Sequence, residues 1–429
     1  MVSEWREVEL EAVADEITVG YVGTMLSEYV ERGIPFLRSL NVEPFRISTT
    51  DIRYITPEFH SRLRKSTLRP GDVVIVRTGK PGTAAVIPNW LAEANCSDLV
   101  IIRPGKKLDS RFLAYYINGA AQQHVAAHLV GAVQQHFNVA SSRKMRIRLP
   151  DLLEQRVIAA ALGALDDKIE LNRQMNQALD AIVQTIFKSW FVDFDPVKAK
   201  AEGRKPTGLA PEIAALFPHR FQDSELGQIP EGWNVGSFGK VAINVRRGVS
   251  PDELEPDTPY IGLEHMPRRS IALCQWGRSE DLGSNKFEFK SGEILFGKLR
   301  PYFHKVGIAP ISGVCSTDIL VISPMVEDWL GFVIGHVSSV EFVNYTDSSS
   351  TGTKMPRTNW GDMARYEIVV PPQILSRAFT GIVRPLFERI QANIHESHTL
   401  GEIRDTLLPK LLSGEVRIKD AEKIVEAHL

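Results

Sequence analysis

The chain has 429 residues, 43% of them hydrophobic and 24% charged, with a formal net charge of −2 at pH 7. That is ample core for two or three globular domains, and it gives no global signal for binding a polyanion, so local patches must decide that question. Three cysteines (Cys96, Cys274, Cys315), none in a CxxC pair and none in a Cys/His cluster at zinc spacing, argue against a disulfide framework or a zinc site. A charged N-terminus (MVSEWREVEL) without an apolar run of roughly 18 residues leads us to expect a cytoplasmic protein.

Residues 1–150 predict a mixed α and β domain. Short apolar runs bounded by turn residues suggest strands at 72–77 (DVVIVR), 84–87, 98–103 (DLVIIR) and 145–149 (MRIRL), and residues 110–121 suggest a helix with Phe112, Leu113, Tyr116 and Ile117 inward. Two polar loops flank strands: 77–83 (RTGKPGT), with Arg77, Thr78 and Lys80, and 131–144 (GAVQQHFNVASSRK), with Gln134, Gln135 and His136. Basic residues exceed acidic ones only mildly here, 19 against 15.

Residues 151–195 predict one long helix. Ile158, Leu165, Leu179 and Ile186 recur on a seven-residue beat, and Leu162, Ile169, Val183 and Trp190 follow four residues later. That pattern reads as a coiled-coil seam and demands a partner. Pro150 precedes the helix, Asp151 can cap it, and Gly163 is its one internal breaker. Residues 196–232 follow, with Pro196, Pro206, Pro211, Pro218, Pro230 and a basic run of Lys198, Lys200, Arg204 and Lys205, and read as an irregular linker.

Residues 233–371 predict a second domain with strands at 293–296, 306–309, 319–322 and 366–370. Its loops are 297–305 (GKLRPYFHK), with Lys298, Arg300, Tyr302, His304 and Lys305, and 348–362 (SSSTGTKMPRTNWGD), with Lys354, Arg357, Asn359 and Trp360. Residues 372–412 carry the helical beat again, with Leu375, Ile382 and Ile403 in one position and Phe379, Leu386, Leu400 and Leu407 in the other. Residues 413–429 form a tail.

The second half repeats the first. An offset of 221 carries Leu165 to Leu386, Leu179 to Leu400, Ile186 to Leu407, Pro150 to Pro371 and Gly71-Asp72 to Gly292-Glu293. Cys96-Ser97-Asp98 meets Cys315-Ser316-Thr317-Asp318 with a slip, and WREVELEAVA meets WNVGSFGKVA at a shift of 228. Asn172, the polar residue of the first seam, maps to Asn393; a buried asparagine in a seam fixes register. The chain is therefore read as a diverged tandem repeat of a domain followed by a long helix.

Catalytic patterns are weak. Residues 292–298 (GEILFGK) approach a phosphate-binding loop, but Leu299 stands where Ser or Thr would ligate magnesium, and the apolar residues inside the motif read as a strand. There is no GxSxG, no HExxH, no GxGxxG after a strand, and no Asn/Asp-Pro-Pro-aromatic tetrapeptide of the amino-methyltransferase kind. The acidic run PDELEPD (251–257) reads as a solvated loop, and His124, His128 and His136 are too loosely spaced for a metal. The paired loops are the better signal. Their Arg, Lys, Gln, Asn, Ser and Thr suit base edges and phosphates, and Tyr302 or His304 suits stacking, although exposure alone would also make such loops polar.

The sequence resembles the specificity subunit of type I restriction–modification systems. The matching stretches are LNRQMNQALDAIVQTIFKSWFVDFDPV (171–197), DSELGQIPEGW (223–233), STGTKMPRTNW (350–360) and LLPKLLSGEVRI (407–418), in the family's order along essentially the whole chain. The loop GAVQQHF (131–137) departs from the second copy by lacking its TGT. The resemblance implies an α+β fold. Two similar mixed α/β target-recognition domains would be separated by two long antiparallel coiled-coil helices in a pseudo-two-fold tandem repeat. It implies a subunit with no catalysis of its own, each domain reading half of a bipartite double-stranded DNA site. Two methyltransferase subunits and restriction/translocase subunits would be its partners, with no membrane. S-adenosylmethionine, Mg and ATP would sit on those partners and no cofactor in this chain. Expected DNA-binding residues are those named in the four loops, from Arg77 to Asn359. The expected helix seam comprises Ile158, Leu165, Asn172, Leu179, Ile186, Phe379, Leu386, Asn393, Leu400 and Leu407. A stand-alone DNA methyltransferase or nuclease, and a helical protein–protein adaptor, remain the alternatives.

Overall fold

The structure is a computed structural model, and it describes residues 5–129, 136–280, 282–350, 352, 354–416 and 418–428. The chain divides into two compact units, Met1–Ile169 with Thr399–Leu429, and residues 170–398.

In the first unit, the apolar run 73–76 becomes the strand Val73–Val76, second in a four-stranded antiparallel sheet ordered Ala84–Val86, Val73–Val76, Leu99–Pro104, Ala14–Val19. Every residue of Val73–Val76 is at most 1% exposed. The strand period explains this, because alternate side chains point to opposite faces. Val73, Ile75, Val100 and Ile102 enter one core cluster, while Val74, Val76, Leu99 and Ile101 enter another. A sheet covered on both faces has no polar face to show, so the sequence reads as continuous apolar runs. A second sheet is ordered Tyr29–Val30, Arg53–Ile55, Ile34–Leu37, Ala94–Cys96, Thr67–Leu68, with one parallel pair, Asn95 beside Phe36. The strand Arg6–Glu9 pairs antiparallel with Arg146–Leu149.

The second unit repeats this plan. Its four-stranded sheet is ordered Val306–Ile308, Ile294–Gly297, Ile319–Pro324, Ala242–Val245. Ile294, Phe296, Leu320 and Ile322 face one cluster, and Leu295, Ile319 and Val321 the other. Its five-stranded sheet has the same parallel pair, Tyr260 beside Val314, and differs in which edge carries the extra strand. The strand Asn234–Ser237 pairs with Glu367–Val370.

The central helix spans Leu152–Phe191 and the C-terminal helix Gln373–Ser413. Asp151 caps the former, its Oδ1 accepting from Glu154 N at 2.9 Å. A Cβ at Gly163 would meet the far end of the Arg111 side chain, 2.6 Å from Nη1, and that half-exposed arginine, which pairs with Asp167 one turn on, can swing aside. Within the second unit the two helices run antiparallel, since Asn172 meets Ser397 while Asn176 meets Asn393. Of the predicted seam, Ile158, Leu165, Asn172, Phe379, Asn393, Leu400 and Leu407 are buried, but Leu179, Ile186 and Leu386 are only partly so. Val183 of the second seam position is buried as expected, and Phe187, Val383 and Phe387, which the beat does not name, are buried with it. Within the second unit both helices also lay a face on its globular core, which widens the apolar stripe beyond a two-position seam.

Two stretches are more regular than their sequence suggests. The linker contains the helices Asp195–Ala201 and Pro211–Ala215 and a hairpin of Phe221–Ser224 with Gly227–Pro230. Pro196 and Pro211 sit in the first turns of those helices, where proline loses no hydrogen bond. Lys200 of the basic run is bound to the carbonyls of Ala214 and Phe217. The tail carries the helix Ile418–Glu426, whose Ala421 and Val425 are buried in the first unit's core.

Candidate nucleic-acid interface

In each unit the second strand of the four-stranded sheet ends beside a loop that returns near the end of the domain. In the first unit, Arg77 follows Val73–Val76, and its backbone binds Phe137, with Phe137 N donating to Arg77 O at 3.0 Å. In the second, Lys298 follows Ile294–Gly297, and Thr358 N donates to Lys298 O at 3.1 Å. The next residue caps a short helix in both: Asn138 Oδ1 accepts from Ser141 N at 2.8 Å, and Asn359 Oδ1 from Asp362 N at 3.0 Å. The 221-residue offset thus carries Arg77 to Lys298, Phe137 to Thr358 and Asn138 to Asn359. The two loops of each unit are brought together by backbone bonds, and side chains on them share one local surface.

The side chains differ between the copies. Arg77 is only 15% exposed: its Nη1 pairs with Asp98 Oδ1 at 2.7 Å and its Nε donates to Phe137 O at 3.1 Å. Thr78 Oγ1 donates to the other Asp98 oxygen at 2.9 Å. Asp98 itself has φ of 50°, a left-handed backbone that aims its carboxylate at the loop. Lys80, between Gly79 and Gly82, is exposed and carries the loop's free charge. His136 is half-buried, and Gln134 and Gln135 lie outside the described residues.

In the second unit Lys298 is half-buried, Tyr302 is 49% exposed, and Lys354 is exposed. Arg300 N donates to Pro356 O at 2.7 Å, which ties the two loops a second time. Arg357 pairs with Asp318, Nε to Oδ1 at 3.2 Å. Two predicted members point inward. His304 is 8% exposed, its Nε2 lies 2.9 Å from Ser338 O, and burial holds its pKa below the usual histidine range. It is a neutral structural residue and not a stacking platform. Lys305 is bound to Leu263 O, and burial lowers its pKa, helped by Arg268 and opposed by Glu264. Burial was hidden from the sequence because the helical turn Pro301–Phe303, entered and left through left-handed Arg300 and His304, rotates successive side chains to opposite sides.

Four charged residues escaped the sequence reading. Asp98 and Asp318 were visible only as part of the repeat. Arg268 lies 4.1 Å from the Phe303 ring centroid, and Arg269 N donates to His304 O at 2.8 Å, so a separate segment adds two cations to the second unit's surface. No local pattern ties 268–269 to a loop more than thirty residues later.

The described residues also carry histidines, cysteines and carboxylates away from these loops. No group of three or more His, Cys, Asp or Glu there could hold a metal. His124 and His128 stack at 4.0 Å, but each ring also has a backbone carbonyl partner, Ser141 O and His124 O. All three cysteines are free. Cys96 and Cys315 are buried, and burial pushes both thiols up, that of Cys315 to about 12, so neither is a nucleophile near neutral pH. No helix among the described residues is long and apolar enough to cross a membrane.

Residues 34–181 match the family described as "Type I restriction modification DNA specificity domain". The chain is 23% identical to the type I restriction enzyme MjaIX specificity subunit of Methanocaldococcus jannaschii, over 97% of this chain and 94% of the relative. It is 28% identical to the type I restriction enzyme HindI specificity subunit of Haemophilus influenzae, over 65% of this chain and 70% of the relative. Among solved structures, the S subunit of a type I restriction–modification system from M. genitalium shares the fold. Its TM-score is 0.52, with 95% of this chain and 96% of that chain covered at 14% identity. A duplicated α+β domain with matched polar loops, whose residues 34–181 match a DNA specificity domain, marks a DNA-recognition protein. The chain is similar to the specificity subunits of type I restriction–modification systems, and its residues 34–181 match their DNA specificity domain.

Proposed function

We propose that each globular domain reads one half of a bipartite double-stranded DNA site and that the paired long helices set the distance between the halves. The observation that carries this reading is the duplicated loop pair. The same two backbone positions, Arg77 with Phe137 and Lys298 with Thr358, tie the same two loops in both copies, while the side chains they present differ. A shared frame with divergent tips suits two readers of different base sequences. Each reader contributes a few base-edge contacts of about 1–3 kcal/mol, and joining them makes the second engagement intramolecular.

In this proposal the chain performs no chemistry. Two methyltransferase subunits dock on it and restriction/translocase subunits join them, in the cytoplasm. S-adenosylmethionine, Mg and ATP belong to those partners, which supply methyl transfer and nucleotide-driven steps. The test is a pair of assays. The chain with its methyltransferase partners should shift a bipartite duplex and not a scrambled one. The purified chain alone should transfer no methyl group from S-adenosylmethionine to plasmid DNA and should not cut it. Turnover by the chain alone refutes the scaffold reading.

A further inference from the structure

The carboxylate that precedes the third strand in each four-stranded sheet's order grips an arginine in both units, but the arginine comes from a different loop. Asp98, before Leu99–Pro104, holds Arg77 of the first loop; Asp318, before Ile319–Pro324, holds Arg357 of the second. The two grips leave different things behind. Arg77 is 15% exposed and spends Nε on a backbone carbonyl and Nη1 on the carboxylate, so it latches the loops to each other. Arg357 is 51% exposed, and its pair is side-on, with Nε 3.2 Å from Oδ1 and Nη2 3.5 Å from Oδ2 of Asp318. That uses one edge of the guanidinium. The other edge, Nη1 with the outer hydrogen of Nη2, keeps two parallel donors.

Asp318 is itself fixed. Its N donates to Ser316 Oγ at 3.2 Å and its carbonyl accepts from Lys298 N at 2.9 Å. The backbone of Arg357 is held as well, by a bridge to Leu299. An arginine pinned along one edge loses little side-chain entropy when the other edge binds, because its rotamer is already chosen. Two adjacent acceptors on a base edge match that fork, and in the major groove guanine offers such a pair in O6 and N7.

We propose that Arg357, buttressed by Asp318, reads a guanine in the half-site of the second domain, and that Arg77 at the equivalent carboxylate is a loop latch and not a base reader. This rests on the DNA-reading function proposed above and adds which residue sets one base of the target. It also makes Asp318 a positioning residue: it touches no base, and its loss frees the arginine to sample other rotamers.

The experiment uses the chain in complex with its methyltransferase partners. Methylation mapping of cells carrying the wild-type complex gives the bipartite motif, and exchange of residues 233–371 identifies that domain's half. Duplexes are then made with 7-deazaguanine, which lacks the N7 acceptor, at each guanine of that half. One such position should weaken wild-type binding about five-fold or more, and the same substitution should have no further effect on Arg357→Ala. In methylation maps, Arg357→Ala and Asp318→Asn should become degenerate at that position alone, with the other half-site unchanged. If Arg357→Ala does not assemble, Arg357→Lys, which keeps the charge but not the paired donors, is judged by the same criterion. The proposal is overturned if that half-site contains no guanine, or if every 7-deazaguanine weakens the variant as much as the wild type. A wild-type complex with no bipartite motif at all would instead refute the function on which it rests.

Discussion

The polar layer in the helix pair of the second unit gives the sharpest energetic prediction. Asn172, Asn176 and Asn393 are 1%, 3% and 2% exposed. Asn393 Nδ2 donates to Asn176 Oδ1 at 2.8 Å, Asn172 Nδ2 reaches Glu396 at 2.6 Å and Ser397 Oγ at 3.3 Å, and Ser397 Oγ donates to Asn393 O at 2.7 Å. Replacing Asn393 by Leu strands the Asn176 amide oxygen where no water reaches it, which costs about 1–3 kcal/mol. Asn176→Leu does the same to the Asn393 amide. Replacing both removes donor and acceptor together, and such double replacements are close to neutral or stabilising. The single variants should therefore lower the melting temperature by about 2–4 °C per kcal/mol for a unit of this size, and the double variant should recover most of that loss. Thermal unfolding followed by circular dichroism measures all four species of the cycle. The reasoning is refuted if the double variant loses the sum of the singles, which would mean that the two amides are not coupled. A restored melting temperature with a heterogeneous unread spacer in the methylation map would show that the layer fixes register, as buried asparagines do in coiled coils.

Gly335 touches the central helix so closely that a Cβ would lie 2.2 Å from the Phe187 ring; Gly335→Ala should overpack that aromatic cluster and destabilise by about 1–3 kcal/mol, and an unchanged melting temperature would contradict it. Asp180 has one backbone donor, Ile271 N at 3.1 Å, and burial pushes its pKa up to about 6. Since the folded state then holds the proton more tightly than the unfolded chain, the cost of charging Asp180 grows as pH rises from about 4 to about 6 and stays above that. Asp180→Asn should thus stabilise by up to about 3 kcal/mol at pH 7 and by little at pH 4, and equal effects at both would contradict the sign. For DNA binding by the complex, Lys80→Ala should lower the salt slope by about one, whereas Arg77→Ala should weaken binding through the loop geometry with the slope kept; the reverse pattern would place the phosphate contact on Arg77.

Much of the architecture was legible because it is periodic. The seven-residue beat marked both long helices, and the 221-residue offset marked the duplication down to Gly71-Asp72 with Gly292-Glu293 and Asn172 with Asn393. The apolar runs 72–77 and 293–296 marked strands, and the structure shows them buried on both faces. What stayed hidden depends on contacts distant in the chain. Phe187, Val383 and Phe387 are buried because the helices pack on the globular core as well as on each other, which a seam pattern does not contain. Nothing in GKLRPYFHK reveals that His304 turns inward to Ser338 while Tyr302 stays exposed, since two left-handed residues set that rotation. The arginines were chosen for their charge, yet their surroundings separate them: Arg77 is enclosed by Asp98 and Phe137, and Arg357 is only buttressed. Arg268 reaches the same surface through Phe303, across a sequence gap that no motif bridges.

The measurement that bears most directly on the central claim is a domain exchange read by methylation mapping. Residues 5–150 are replaced by the equivalent domain of a relative with a different target, and the chimaera is expressed with its methyltransferase partners. Two independent readers on one frame predict a methylated motif in which one half-site is new and the other half-site and the spacer are unchanged. A motif altered in both halves, or in the spacer alone, would contradict the account.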